Sequence, residues 1–206
     1  WRAQAFDSIG TPRLHNATKD ALLMALQQPG LTHPEAENLG FRPFQVVVWH
    51  HDGVGLEYQM DATELRRALV CGPDELRNSI SWRLWRLMDA VGPEPDVRAA
   101  RWRDTVCPVF QSIWPLDARL RKERTSENLV MMTLATGDAF PEAVDAVVDV
   151  LCPYRLWEIT HTLCPESHRE NLGQYHPRPF LKLLNGLIDP DLHPAPPDLR
   201  VVLERC

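Results

Sequence analysis

Apolar positions along this chain recur mainly at helical spacing, and prolines cut the pattern into segments of about one helix each. "HNATKDALLMALQQPG" carries a stripe of Leu22, Leu23 and Leu26, with Asn16 as its cap and Pro29-Gly30 as its stop. "HPEAENLGF" adds a short helical turn opening at Pro34. "DATELRRALVCG" reads as a helix with a capping box, Asp61 at the N-cap and Glu64 at N3, ended by Gly72. Leu76, Ile80, Leu84, Leu87 and Met88 mark the next helix, opened by Pro73 and closed by Gly92-Pro93. "PDVRAARWRDTVCP", "PVFQSIWP" and "PLDARLRKER" predict three further short helices. "TSENLVMMTLATGDAFP" comes next, with Thr125 or Ser126 as cap and Gly137 as stop. The helical pattern then repeats in "FPEAVDAVVDVLCP", "PYRLWEITHTLCP", "HPRPFLKLLNGLIDP" and "PPDLRVVLERC".

Residues 44–60 carry two patterns at once. Val46 to Val48 is a β-branched run, Asp52-Gly53 is a turn signal, and Val54, Leu56, Tyr58 and Met60 alternate strictly. That predicts a small hairpin. A helix from Pro43 to His51 ended by Gly53 is the competing reading, and both stay open at this level.

No segment of the second half buries its apolar face alone, so short antiparallel helices stacked on their neighbours are expected. The expected fold is mostly α, a degenerate HEAT-like repeat without a strict period. Two regions are expected. Residues 1–60 hold the N-terminal helix and the hairpin, and 61–206 form the repeat-like domain.

Composition adds limits. The chain has 206 residues, 44% hydrophobic and 24% charged, ordinary for a globular protein. Eighteen prolines against ten glycines fit the segmented helices. No apolar run approaches the roughly 20 residues of a membrane span. Residue 1 is Trp, and no basic segment with an apolar stretch follows it. A piece of a longer polypeptide is therefore expected. Five cysteines are too few and too odd for a disulfide framework, which suits a reducing cytoplasm.

The formal net charge of −6 disfavours non-specific nucleic-acid binding as a whole. The charge is uneven, however. Residues 77–124 hold ten Lys/Arg against six Asp/Glu, so that segment is locally positive. Arg83, Arg86, Arg98, Arg101, Arg103, Arg121 and Lys122 are the candidate binding residues there. Trp82 and Trp85 among the arginines are the types that stack on bases beside a phosphate backbone. The plain alternative is a packed tryptophan whose arginine neighbours cover it with their stems.

"LCPYRLWEITHTLCPESH" collects Cys152, His161, Cys164 and His168. Structural zinc needs four converging ligands. Helical rise puts Cys152 about 13 Å from His161, too far for one ion. A site on His161, Cys164 and His168 would need a distant fourth ligand, so no metal or other cofactor is expected. Cys107, Cys152 and Cys164 each precede a proline, which reads as three helix ends carrying small buried thiols. Cys-Pro also occurs in haem-regulatory motifs. His50, His51 and Asp52 could form a general base with an orienting carboxylate. No G-x-S-x-G, P-loop, H-E-x-x-H or G-x-G-x-x-G motif accompanies them, and no catalytic residue is assigned.

Trp114-Pro115-Leu116, Phe140-Pro141-Glu142-Ala143-Val144 and "HPRPFLKLLNGLIDP" carry a resemblance over residues 101–206. The segment resembles helical C-terminal regions of large bacterial multidomain proteins, such as those appended to sirtuin-like NAD-consuming proteins of phage defence. These are packing motifs and transfer no catalytic residue. Pattern and resemblance together imply a non-catalytic scaffold or sensor module of a larger cytoplasmic bacterial protein. Its partner would be another protein or another domain of the same polypeptide. A nucleic-acid module using 77–124 is the second reading, and an enzyme using His50, His51 and Asp52 the third.

Overall fold

The computed structural model describes residues 21, 24–51, 62–153, 172–189, 191 and 199–204. The fold is mostly α, with no strand among the described residues. The helices are α1 (His33–His51), α2 (Ala62–Cys71), α3 (Asp74–Asp89), α4 (Pro95–Arg101) and α5 (Cys107–Ile113). They continue as α6 (Glu123–Leu134), α7 (Phe140–Val147), α8 (Leu172–Tyr175), α9 (Pro177–Leu187) and α10 (Leu199–Glu204). None of the described helices is long and apolar enough to cross a membrane.

Helices alternate between two layers. In one, α3 lies between α1 and α6. In the other, α5 packs on α2 and on α7. The layers meet where α1 touches α5 and α6 touches α7, and α9 extends the stack beyond α7. A single buried apolar cluster runs through all of this, from Leu26 and Phe44 through Ile80 and Trp102 to Phe140 and Phe180. The described part of residues 1–60 thus shares its core with the rest.

The hairpin expected at 44–60 is not formed, because residues 44–51 are the second half of α1. Ala36, Gly40, Pro43, Phe44, Val47 and Val48 are all buried, which is helical spacing on one face. Burying that stripe against α3 outweighs the β preference of the valines, a tertiary override of a weak local signal. It also outweighs Pro43 inside the helix, which removes one backbone donor. Residues 52–60 lie outside the described residues, as do Asn16 and Asp61. The helix starts earlier than Pro34. Thr32 donates its backbone N–H (2.9 Å) and its hydroxyl (2.8 Å) to the Glu35 carboxylate, which closes the first turn.

Cys107-Pro108 does not end a helix either. α4 and α5 are one continuous rod, joined by a π-helical stretch at Trp102–Val106. Cys107 itself is helical, at φ −63° and ψ −49°. Its N–H donates to the Trp102 carbonyl, one residue further back than in an α-helix. The wider turn ahead of Pro108 relieves the ring clash that normally stops a helix there. At Cys152 the expectation holds in a different form. The turn at Val148–Val150 ends on an extended Leu151.

Nor does "PLDARLRKER" make an α-helix. It contains a single 3-10 turn, Ala118–Leu120, with the Asp117 side chain accepting from the Arg119 N–H. α6 then starts at Glu123, with Lys122 at its N-cap. Thr125 and Ser126 sit buried inside its first turns rather than capping it. Gly137 does stop the segment, at φ +58°.

Candidate functional site

α3 is apolar at Leu76, Ile80, Leu84 and Met88, yet its other inward face carries Asn78, Ser79 and Ser81, all buried. Polar groups buried between helices must find partners. Asn128 on α6 supplies several. Its Nδ2 donates to Asn78 Oδ1 (3.0 Å) and Ser81 Oγ (3.0 Å), and Ser81 Oγ donates to the Asn78 carbonyl (2.9 Å). This hydrogen-bond network clamps α6 to α3.

A cleft of about 250 Å³ opens beside it, lined by Glu37, Asn78, Ser79, Trp82, Arg124 and Asn128. Three helices contribute: α1, α3 and α6. Trp82 is 39% exposed, a large value for a tryptophan. The Arg83 and Arg86 guanidinium carbons lie 5.7 and 5.9 Å from its ring centroid, within cation–π reach. Arg83 also faces Glu37 at 3.7 Å. Burial pulls the Arg83 pKa down, and the Glu37 charge opposes that pull. Arg124 is exposed on the rim and makes no ion pair among the described residues. The Ser79 hydroxyl is buried without a hydrogen-bond partner.

The candidate arginines are mostly occupied. Arg86 pairs with Asp89. Arg98 donates to the Gly92 carbonyl (2.9 Å), and Arg101 to Thr105 Oγ1 (3.0 Å). Arg103 grips both oxygens of Glu142, at 2.8 and 2.6 Å, and that hydrogen bond holds the Glu142 carboxyl below its ordinary range. Lys122 reaches Asp74 at 3.5 Å. Arg121 is half-buried, with its Nε unpartnered. Arg77, another cation of the basic segment with no expected role, is 4% exposed and purely structural. Its Nη1 donates to the carbonyls of Leu69 (2.5 Å) and Gly72 (2.8 Å), and its Nη2 binds Asp74. Carboxylates thus offset the charge of Arg83, Arg86, Arg103 and Lys122, while Arg98 and Arg101 donate to neutral oxygens.

His50 and His51 close α1, while Asp52 lies outside the described residues. His161, Cys164 and His168 also lie outside them. Cys152 is described, and its N–H donates to Ser126 Oγ (2.8 Å). Burial raises the thiol pKa of both Cys107 and Cys152, and a nearby Glu adds to it in each. Both therefore stay protonated and poorly nucleophilic at neutral pH.

The sequence pattern picks out the tryptophan-arginine run but not Glu37, Ser79, Arg124 or Asn128. These residues come from three helices separated by some 40 residues each. The one local signal is the run of uncharged polar residues Asn78, Ser79 and Ser81 around the apolar stripe of an amphipathic helix.

No known family matches the chain, and no solved structure matches it. A stretch of 110 residues, 53% of the chain, is 29% identical to an uncharacterized protein, y4cA, of Sinorhizobium fredii (strain NBRC 101917 / NGR234). The match covers 9% of that relative's length.

Proposed function

We propose that this chain is a non-catalytic helical module of a longer polypeptide, and that it binds a protein segment at the cleft between α1, α3 and α6. The observation that carries the reading is Trp82, partly exposed at the mouth of a cleft whose walls are fixed by the Asn128 hydrogen bonds. Tryptophan flanked by arginine is the residue type that dominates binding energy at protein interfaces. The alternation of helices between two layers supports a stacked, repeat-like scaffold. The match to a small part of a much longer relative supports the module reading. A role in phage defence rests on the sequence resemblance alone.

Selection from a random-peptide display library on the immobilised protein tests this. Enriched peptides should bind the parent and lose at least about tenfold in affinity on Trp82→Ala. They should be indifferent to Lys182→Ala, because Lys182 pairs with Asp145 at the far end of the stack. Failure to enrich any Trp82-dependent peptide removes the proposal. Single-stranded oligonucleotide binding with a steep salt dependence would instead favour nucleic acid as the partner.

A further inference from the structure

The cleft's chemistry narrows what it takes, given that it is a peptide-binding site. We infer that it recognises a peptide carboxylate, seated between Arg124 and the Ser79 hydroxyl, with a neighbouring apolar side chain lying on Trp82. Two independent features point this way. The first is charge. Glu37 is the acidic group in the lining, and Arg83 faces it at 3.7 Å. Arg124 lines the same cleft and carries no ion pair among the described residues. The cleft is left with one uncompensated cation, whose planar fork suits a carboxylate.

The second feature is the hydroxyl. Ser79 is 2% exposed, lines the cleft, and leaves its Oγ without a hydrogen-bond partner. A buried hydroxyl normally finds an acceptor, commonly a carbonyl one turn back in its own helix. A ligand oxygen in the cleft would provide it. The amide of Asn128 is already committed to Asn78 and Ser81, so it holds the wall rigid and is not free to swing. Rigid walls with an unsatisfied donor and an unpaired cation make a preorganised anion site, which lowers the ordering cost of binding.

The carboxylate could belong to an Asp or Glu side chain or to the free C-terminus of a peptide. Peptides taken from the display selection, synthesised with a free or an amidated C-terminus and with each acidic residue changed to its amide, separate the two. The expected result is that one carboxylate in each peptide is required. Removing it should cost at least about tenfold in affinity, the size of one lost charge-assisted contact. Arg124→Gln should cost the same, and combining the two changes should cost no more than either alone. Ser79→Ala should weaken peptide binding while leaving the melting temperature unchanged or raised, since the hydroxyl has no internal partner to lose. Peptides that need Trp82 but carry no essential carboxylate, or that ignore Arg124→Gln, overturn this inference and leave the binding-module reading intact. Failure to obtain any Trp82-dependent peptide overturns both.

Discussion

Arg77 shows what one buried charge does in this fold. Its guanidinium takes up carbonyls at the end of α2 that the helix itself leaves without partners, and it binds Asp74 in the first turn of α3. Removing it strands those carbonyls and the carboxylate. Arg77→Ala should therefore destabilise by about 3 kcal/mol, read from urea denaturation. Arg77→Lys should recover only part, because an ammonium cannot span three acceptors in a plane. Asp74 carries the matching pH dependence. Burial pushes its pKa up, but the Arg77 hydrogen bond and charge, joined by Lys122, outweigh that and leave it below the ordinary 3.8. A folded-state value below the unfolded one stabilises the fold above that range, and the benefit disappears as pH falls through it. The urea midpoint of Asp74→Asn should therefore lie below the parent's at pH 7 and approach it as pH falls below the ordinary carboxylate range. None of this is legible in the sequence. An arginine one position past a helix stripe reads as surface, and only the packing of α3 on the α2 terminus turns it inward.

At the scale of elements, local signals are right about helix content and often wrong about helix limits. Proline-bounded segments around α3 and α9 have about the expected extents, since there the bounding prolines and the apolar stripe agree, while α7 gives way to a 3-10 turn at Val148–Val150. Where two local signals disagree, packing chooses. α1 absorbs both Pro43 and a valine run, and the α4–α5 rod passes through Cys107-Pro108 by opening into a π turn. Gly137 marks the opposite case, a turn that only one residue satisfies. It sits at φ +58°, and a Cβ there would come within 2.5 Å of the Pro95 carbonyl oxygen. The obstacle is backbone, which cannot rotate away. Gly137→Ala should cost roughly 2–5 kcal/mol through left-handed strain plus overlap, visible as a lowered melting temperature.

The whole molecule depends on the aromatic residues between helices. Trp114 stacks on Phe110 at 5.6 Å, and Phe140 packs between α7 and α9, beside His176 at 5.9 Å. Phe140 and Phe180 are 0% and 1% exposed. Phe140→Ala should lower stability by about 3–5 kcal/mol, and two spectroscopic probes should report one common transition. Trp82→Ala should lower the melt much less than Phe140→Ala, because 39% of its surface is already in water, and its main effect should be on binding. Arg83→Glu would replace an ion pair with Glu37 by two facing carboxylates and should lower the melting temperature. What the sequence alone determined is the class of the fold. Apolar period, caps and prolines are local, so the mostly helical structure and many of its buried stripes could be read directly. Which helices become neighbours was decided only in three dimensions. α3 meets α1 and α6 because their faces fit, and residues 37, 79 and 124 converge on one cleft as a result. A site assembled from such distant positions leaves no spacing in the sequence, because local chemistry does not encode the distance between helices that meet only after folding.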